Sequence, residues 1–194
     1  MGRWARWAML GAACTALVGC DTMRATGTKV GSAVQSGWDS LFGPSGAVAL
    51  ADMKATQGNA VAGKVQFVQT GNVVHVAVDL SGLAPSTEHG FHVHERGDCS
   101  AADGMSAGGH FNPEGVAHGS SAHPPHHAGD MPNLMADAKG EVHTSFDTGA
   151  LAVGTGAGDV IGHAVVVHRD ADDYKTQPAG NSGPRVACGV IVKK

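Results

Sequence analysis

Histidine is concentrated in one stretch of this 194-residue chain, and this stretch constrains the fold more than any other sequence feature. Eight of the 12 histidines fall between residues 89 and 127, interspersed with Gly, Pro and Asp and without helical periodicity. Imidazole is the commonest metal ligand among side chains. The fold must therefore be one that can gather strand and loop residues at a common point.

Short alternating apolar runs predict β-strands throughout the second part of the chain. The pattern is clearest at residues 73–80, where Val74, Val76, Val78 and Leu80 alternate with polar or small residues after a Gly-Asn turn. Further strands are predicted at residues 48–54, 61–68, 89–94, 141–147, 161–168 and 186–192. The 29 glycines and two long stretches without periodicity, residues 95–138 and 169–185, indicate an antiparallel all-β domain with two functional loops.

The length of the chain limits the number of domains, and its charge argues against nucleic-acid binding. The chain is long enough for one domain with additional segments. Only 15% of the residues are charged and the formal net charge is -4, so a nucleic-acid-binding surface is not expected.

The first 19 residues have the pattern of a secretory signal peptide: basic residues, an apolar stretch and then small residues. The apolar stretch, residues 7–18, is shorter than the roughly 20 residues that a membrane-spanning helix needs. The sequence Leu-Val-Gly-Cys at residues 17–20 resembles the lipobox of bacterial lipoproteins. This resemblance implies cleavage before Cys20, a lipid on its sulfur and attachment to a membrane.

The polar, Gly-rich residues 20–46 are interpreted as the lipidated N-terminus and a flexible tether, and residues 47–194 as the folded domain. An alternative for the tether is a short amphipathic turn around the apolar Trp38, Leu41 and Phe42, which would lie on the membrane or on the domain.

Two cysteines remain for the mature domain. Cys14 leaves with the signal peptide and Cys20 carries the lipid, so Cys99 and Cys188 are left to pair. Exported proteins fold and function in oxidising compartments, where disulfides persist. A bridge between Cys99 and Cys188 would close a loop of about 90 residues. In the chain-entropy model, closing such a loop raises the free energy of unfolding by about 4 to 5 kcal/mol.

Metal-ligand residues recur at informative spacings. His92 and His94 are two residues apart, so on a strand both side chains point to the same face. Taken alone, such a pair is more often a solvated surface feature. His110, His118, His127 and Asp130 follow in the first long loop, and His168 ends an apolar run.

Five segments, in this order, resemble the Cu,Zn superoxide dismutases: GFHVHE, GGHFNPEGVAH, HHAGD, VVVHRDADD and NSGPRVACGVI. The resemblance extends from about residue 47 to residue 194 and implies a Greek-key antiparallel β-sandwich or barrel of immunoglobulin-like type. It implies four copper ligands, His92, His94, His110 and His168. It implies four zinc ligands as well, with His110 shared between the metals: His110, His118, His127 and Asp130.

The chemistry of the donors agrees with this division. Four nitrogen donors suit Cu(II), whereas three imidazoles and a carboxylate suit Zn(II). The resemblance implies an enzyme that converts superoxide to dioxygen and hydrogen peroxide by Cu(II)/Cu(I) cycling, with His110 also carrying a proton. It implies that Asp172 links a copper histidine to a zinc histidine and that Arg185 attracts the anionic substrate.

Two questions stay open at this point. His123 and His126 exceed the ligand set, and they are either solvated or recruit metal when it is scarce. The alternative function is a non-catalytic periplasmic protein that binds or buffers copper and zinc. The resemblance also leaves a homodimer open. A periplasmic, membrane-anchored enzyme is the expected form.

Overall fold

The structure is a computed structural model and describes residues 46–194. The predicted signal peptide, the lipid site at Cys20 and nearly all of the tether lie outside the described residues. Within residues 46–194 no helix is long and apolar enough to cross a membrane.

β-strands dominate the described chain. There are nine in residues 46–194, together with a 3-10 turn at Met105–Ala107: β1 (Val48–Ala55), β2 (Ala62–Thr70), β3 (Val73–Ser81), β4 (Glu88–His89), β5 (Phe91–His94), β6 (Leu134–Met135), β7 (Val142–Thr148), β8 (Ala164–His168) and β9 (Arg185–Lys193). No α-helix occurs in this range.

The hydrophobic alternation read from the sequence forms the core. In β3 the side chains of Val74, Val76, Val78 and Leu80 are buried in the main apolar cluster. β2 and β3 pair in an antiparallel hairpin whose turn follows Thr70, and Gly71 adopts a positive φ of 59° there. Glycine reaches this backbone conformation without a steric penalty, so the predicted Gly-Asn turn is confirmed.

Seven strands form one curled antiparallel sheet in the order β5-β8-β9-β1-β2-β3-β7. The last strand, β9, returns to pair with β1, so that β9-β1-β2-β3 are neighbours in the arrangement of a Greek key. Phe91 in β5 and Phe146 in β7 lie on the two edge strands, yet their rings meet edge-on at 6.5 Å. The sheet therefore curls around its core, and the predicted all-β Greek-key class is confirmed.

One predicted strand is divided. The expectation of a continuous strand over residues 89–94 is wrong at Gly90, whose N–H donates to the carbonyl of Asp170 at 2.8 Å. β4 on one side of this break pairs with the short β6, and β5 on the other side pairs with β8. The break ties the start of β5 to the second long loop.

Two long connections cover the outer face of β5 and β8. The first loop (residues 95–141) contains the 3-10 turn and β6, and the second loop (residues 169–184) joins β8 to β9. The disulfide between Cys99 and Cys188, predicted from the sequence, is present and fastens the first loop to β9.

Candidate metal centre

Strand alternation places the first histidines. Phe91 and Val93 of β5 point into the apolar core, so His92 and His94 point to the opposite face. Both histidines are nonetheless buried, at 0% and 1% exposure, because the loops lie over that face. His168, at the end of β8, stands on the strand that pairs with β5.

A first donor group contains four of the predicted residues. The ligand nitrogens of these side chains all lie within 4.8 Å of one another: His92, His94, His110 and His168. The Nε2 atoms of His94 and His168 are 3.3 Å apart, and the ring of His110 stacks on that of His92 with 3.9 Å between centroids. We call these residues the four-histidine group.

Hydrogen bonds fix which nitrogen of each ring faces this group. The Nδ1–H of His94 donates to the carbonyl of Gly108 at 2.9 Å, and the Nδ1–H of His168 donates to the carbonyl of Gly183 at 3.0 Å. The Nε2–H of His92 donates to Asp172 at 2.8 Å. The opposite nitrogen of each ring is thereby left as a lone-pair donor, which is the arrangement of metal-binding histidines.

The remaining lone pairs indicate a cation. Among the described residues, His92 Nδ1 and His110 Nε2 have no hydrogen-bond partner, and both atoms are buried. A buried polar atom without a partner costs free energy. A metal ion bound by the four-histidine group would remove that cost, so these residues fit a copper ion.

A second donor group gathers three imidazoles on one carboxylate oxygen. The Oδ1 atom of Asp130 lies 2.8 Å from His110 Nδ1, 3.1 Å from His118 Nδ1 and 3.3 Å from His127 Nδ1. The Oδ2 atom of Asp130 accepts the backbone N–H groups of His127 and Gly119, which fix the carboxylate. Three nitrogens and one oxygen at this spacing form a donor set typical of zinc. We call it the three-histidine–aspartate group.

His110 belongs to both groups. Its Nδ1 atom faces Asp130, and its Nε2 atom is the unpartnered nitrogen described above. One imidazole ring therefore presents one nitrogen to each donor group.

Asp172 connects the two groups by binding the ring nitrogens of His92 and His118 that face away from the donor groups. One carboxylate oxygen accepts the Nε2–H of His92 at 2.8 Å, and the other accepts the Nε2–H of His118 at 3.0 Å. The backbone N–H of Tyr174 donates to the same oxygen as His118, at 2.7 Å. The carboxylate, which is fully buried, thus orients one ring of each group.

Burial keeps three rings of the four-histidine group, those of His92, His94 and His168, uncharged. It lowers the pKa of His92 to about 4, against the opposing hydrogen bond to Asp172. It lowers the pKa of His168 to about 3 and that of His94 well below the usual value. These rings are neutral at pH 7, which is the form that binds a metal.

In the three-histidine–aspartate group, burial likewise lowers the pKa of His127, but His118 favours a positive charge. Burial, the largest single influence on His118, lowers its pKa, but the hydrogen bonds and charges of Asp130 and Asp172 outweigh burial and raise the pKa to about 9. Burial also opposes ionisation of the two carboxyls, yet their histidine partners hold both pKa values well below the usual range. A divalent cation would take the place of the proton on His118.

A cavity of about 350 Å³ leads from the surface to His168. Its wall includes Arg185 and residues of the second loop. The guanidinium of Arg185 donates hydrogen bonds to the carbonyls of Gly104 and Gly108 in the first loop. The predicted anion-attracting residue therefore stands in the same cavity as one member of the four-histidine group.

The two additional histidines of the first loop lie outside both donor groups. His126 donates its Nδ1–H to the carbonyl of His127 at 2.7 Å, and His123 is exposed. Asn133 and Gln177, which the sequence did not single out, bond to the backbone of Asp172 and His118. An amide in an aperiodic loop carries no sequence signal that would reveal such contacts.

Comparison with known proteins gives concordant matches. The family described as copper/zinc superoxide dismutase (SODC) matches residues 61–191. "Superoxide dismutase [Cu-Zn] 2" of Aquifex aeolicus is 41% identical over 145 residues, 73% of this chain and 84% of that protein. "Extracellular superoxide dismutase [Cu-Zn]" of Drosophila melanogaster is 40% identical over 139 residues, 68% of this chain and 75% of that protein. The crystal structure of the clock protein EA4 superposes with a TM-score of 0.68 at 37% identity, covering 77% of this chain and 96% of that one.

Proposed function

The chain belongs to the copper/zinc superoxide dismutase family, and from this premise we propose that the four-histidine group is its copper site and the three-histidine–aspartate group its zinc site. The reaction combines two superoxide ions and two protons into dioxygen and hydrogen peroxide. The observation that carries the assignment is the ring of His110, which presents Nε2 to one group and Nδ1 to the other.

The donor sets decide which metal belongs where. Bound copper supplies the change of oxidation state that dismutation requires, which zinc with its filled d shell cannot supply. His92, His94 and His168 hold their positions through hydrogen bonds from the ring nitrogens that face away from the group. The carboxylate of Asp130 gives the second group the negative charge that suits zinc.

His110 carries a proton as well as a metal in this proposal. In the metal-free arrangement the Nδ1–H of His110 donates to Asp130. Zinc bound at Nδ1 would replace that hydrogen, and the ring would then carry its proton at Nε2, on the side of the copper group. The Nε2 atom makes no hydrogen bond to any described residue, and it can therefore accept and release a proton without breaking a contact. Imidazole exchanges protons readily near neutral pH.

Arg185 attracts the substrate. Its guanidinium lies in the cavity that reaches His168, and carbonyls of the first loop hold it there. A fixed positive charge in a cleft draws small anions, an effect for which superoxide dismutases are themselves a known example.

Replacement of the shared ring tests the assignment. His110→Ala removes one donor from each group, while the disulfide and the apolar core that hold the fold are untouched. We expect activity per bound copper to fall to the level of free copper. His126→Ala, which removes an imidazole of the same loop outside both groups, should keep full activity. Activity per copper that survives in His110→Ala would refute the shared site.

Export is the second part of the proposal. The disulfide is typical of proteins in an oxidising compartment, and the Drosophila relative is named an extracellular enzyme. We infer a periplasmic protein with a signal peptide at residues 1–19, a lipidated tether at residues 20–46 and an enzyme domain at residues 47–194. The homodimer stays a prediction, which light scattering tests.

Lipidation is tested at Cys20. Cys20→Ser should move the protein from the membrane fraction to the soluble periplasmic fraction. Cys14→Ser, a cysteine inside the signal sequence, is the matched control and should leave the protein on the membrane. Unchanged fractionation of Cys20→Ser would contradict the lipid anchor.

A further inference from the structure

Two side-chain amides bind the backbone of metal-site residues in the same way. The amide of Gln177 donates from Nε2 to the carbonyl of His118 and accepts its N–H at Oε1, both at 2.9 Å. The amide of Asn133 donates from Nδ2 to the carbonyl of Asp172 and accepts its N–H at Oδ1, both at 3.0 Å. Each amide satisfies both backbone polar groups of one buried residue.

The two contacts are reciprocal between the long loops. His118 and Asn133 lie in the first loop, whereas Asp172 and Gln177 lie in the second. Each loop thus provides one amide that binds a residue of the other loop. Between the two amides lies the hydrogen bond from His118 Nε2–H to Asp172, at 3.0 Å.

We propose that Gln177 is a positioning residue that holds the zinc ligand His118 from the opposite loop, and that Gln177 and Asn133 together fasten the two loops into one unit. This inference rests on the zinc assignment made above. Among the described residues, no other group bonds to the backbone N–H or carbonyl of His118. Loss of the amide would leave two buried backbone groups unsatisfied and release the segment that carries the ligand.

The same residue links the zinc site to the route of the substrate. Gln177 lines the cavity that reaches His168 and Arg185. The contact that orders His118 therefore also fixes part of the cavity wall. Zinc binding and the shape of the copper entrance are coupled through one side chain.

Gln177→Met tests this role because methionine keeps the length and packing of the side chain but cannot bond to His118. The matched control is Gln69→Met. Gln69 likewise bonds to backbone groups, accepting from Val153 at 2.9 Å and donating to Gly71 at 2.8 Å, but neither belongs to a donor group. Both variants lose a backbone-binding amide, and only one loses contact with a metal-site residue.

The full-length, metal-loaded proteins are challenged with a chromogenic zinc chelator, and the rate of zinc release is measured. We expect Gln177→Met to release zinc about 10- to 100-fold faster than the parent, since partners that orient metal ligands contribute by that factor. Gln69→Met should release zinc at the parent rate even where its unfolding midpoint falls. Equal rates in Gln177→Met and the parent, or equal acceleration in both variants, would overturn the inference.

Cobalt substitution separates this inference from the site assignment. Co²⁺ at the zinc position of the parent should give a tetrahedral absorption spectrum that His118→Ala abolishes, and a failure there would refute the zinc site itself. With the parent spectrum present, Gln177→Met should shift its bands, whereas an unchanged spectrum would count against the positioning role alone. Gln177→Asn, whose shorter amide cannot reach both backbone groups, replaces Gln177→Met if the latter does not fold.

Discussion

The carboxylate of Asp172 offers a sharp test of how the two donor groups are joined. It accepts three N–H groups, from His92, from His118 and from the backbone of Tyr174. In Asp172→Asn the side chain keeps its size but has only one acceptor oxygen, so it can accept only one of the two ring N–H groups. The amide N–H₂ then faces the other ring N–H, and two donors meet without an acceptor. If the oxygen stays with His118, His92 must move its proton to Nδ1, the nitrogen that would bind copper.

The expected loss follows from the role of that contact. Removing a group that fixes the orientation and tautomer of a metal-ligating histidine costs about 10- to 100-fold in metal affinity, or about 1.4 to 2.8 kcal/mol. If the amide oxygen instead stays with His92, His118 loses its acceptor, and the loss of affinity falls on zinc rather than copper. Either way, Asp172→Asn should keep its fold and lose affinity for at least one metal.

Asp170→Asn is the matched control. The carboxylate of Asp170 is in the same loop but is half-exposed and pairs with Arg169. Exposed ion pairs of this kind contribute about 0 to 1 kcal/mol, and this one touches neither donor group. Bound copper and zinc are counted by elemental analysis after dialysis against graded chelator, and the copper geometry is read by electron paramagnetic resonance. An Asp172→Asn protein with parental affinity for both metals would refute the linking role.

Three further predictions concern neighbouring features. Gly180→Ala should release zinc to a chelator faster than the parent protein, because a Cβ at Gly180 would overlap the carboxylate of Asp172 and lie 2.8 Å from His118 Nε2; parental zinc retention would contradict this. Arg185→Ala should slow superoxide removal several-fold at low ionic strength and flatten its salt dependence while leaving metal content unchanged, as stopped-flow kinetics at graded salt will show. Without metal, the pKa of His118 is raised to about 9 in the folded protein, compared with about 6.5 in the unfolded chain. The protonated ring therefore stabilises the apoprotein fully below pH 6.5, and this stabilisation is lost as the pH rises through 9. Zinc binding at pH 7 should accordingly release about one proton, measured by calorimetry in buffers of different ionisation enthalpy, and proton-independent binding would contradict the assignment.

The fold was largely predictable because its signals are local. Alternation in β3 fixed the buried face, and the same rule placed His92 and His94 together on the other side of β5. The division of the strand at Gly90 was not predictable, because it depends on a hydrogen bond to Asp170, 80 residues away along the chain.

The site was only partly predictable for the same reason. Ligand types and spacings marked the residues that the structure gathers in the two groups, although their binding of metal stays a prediction. The amides of Gln177 and Asn133 act between loops that are distant in sequence, so neither composition nor periodicity marks them. The expectations for residues 1–45 lie outside the described chain and stay predictions.

Anomalous X-ray diffraction at the copper and zinc absorption edges, on crystals of the fully metallated protein, measures the shared ring directly. With metal–nitrogen bonds of about 2.0 Å on both sides of one imidazole, we predict two ions about 6 Å apart with His110 between them, copper at Nε2 and zinc at Nδ1. Two ions far apart, with no histidine in common, would contradict the account.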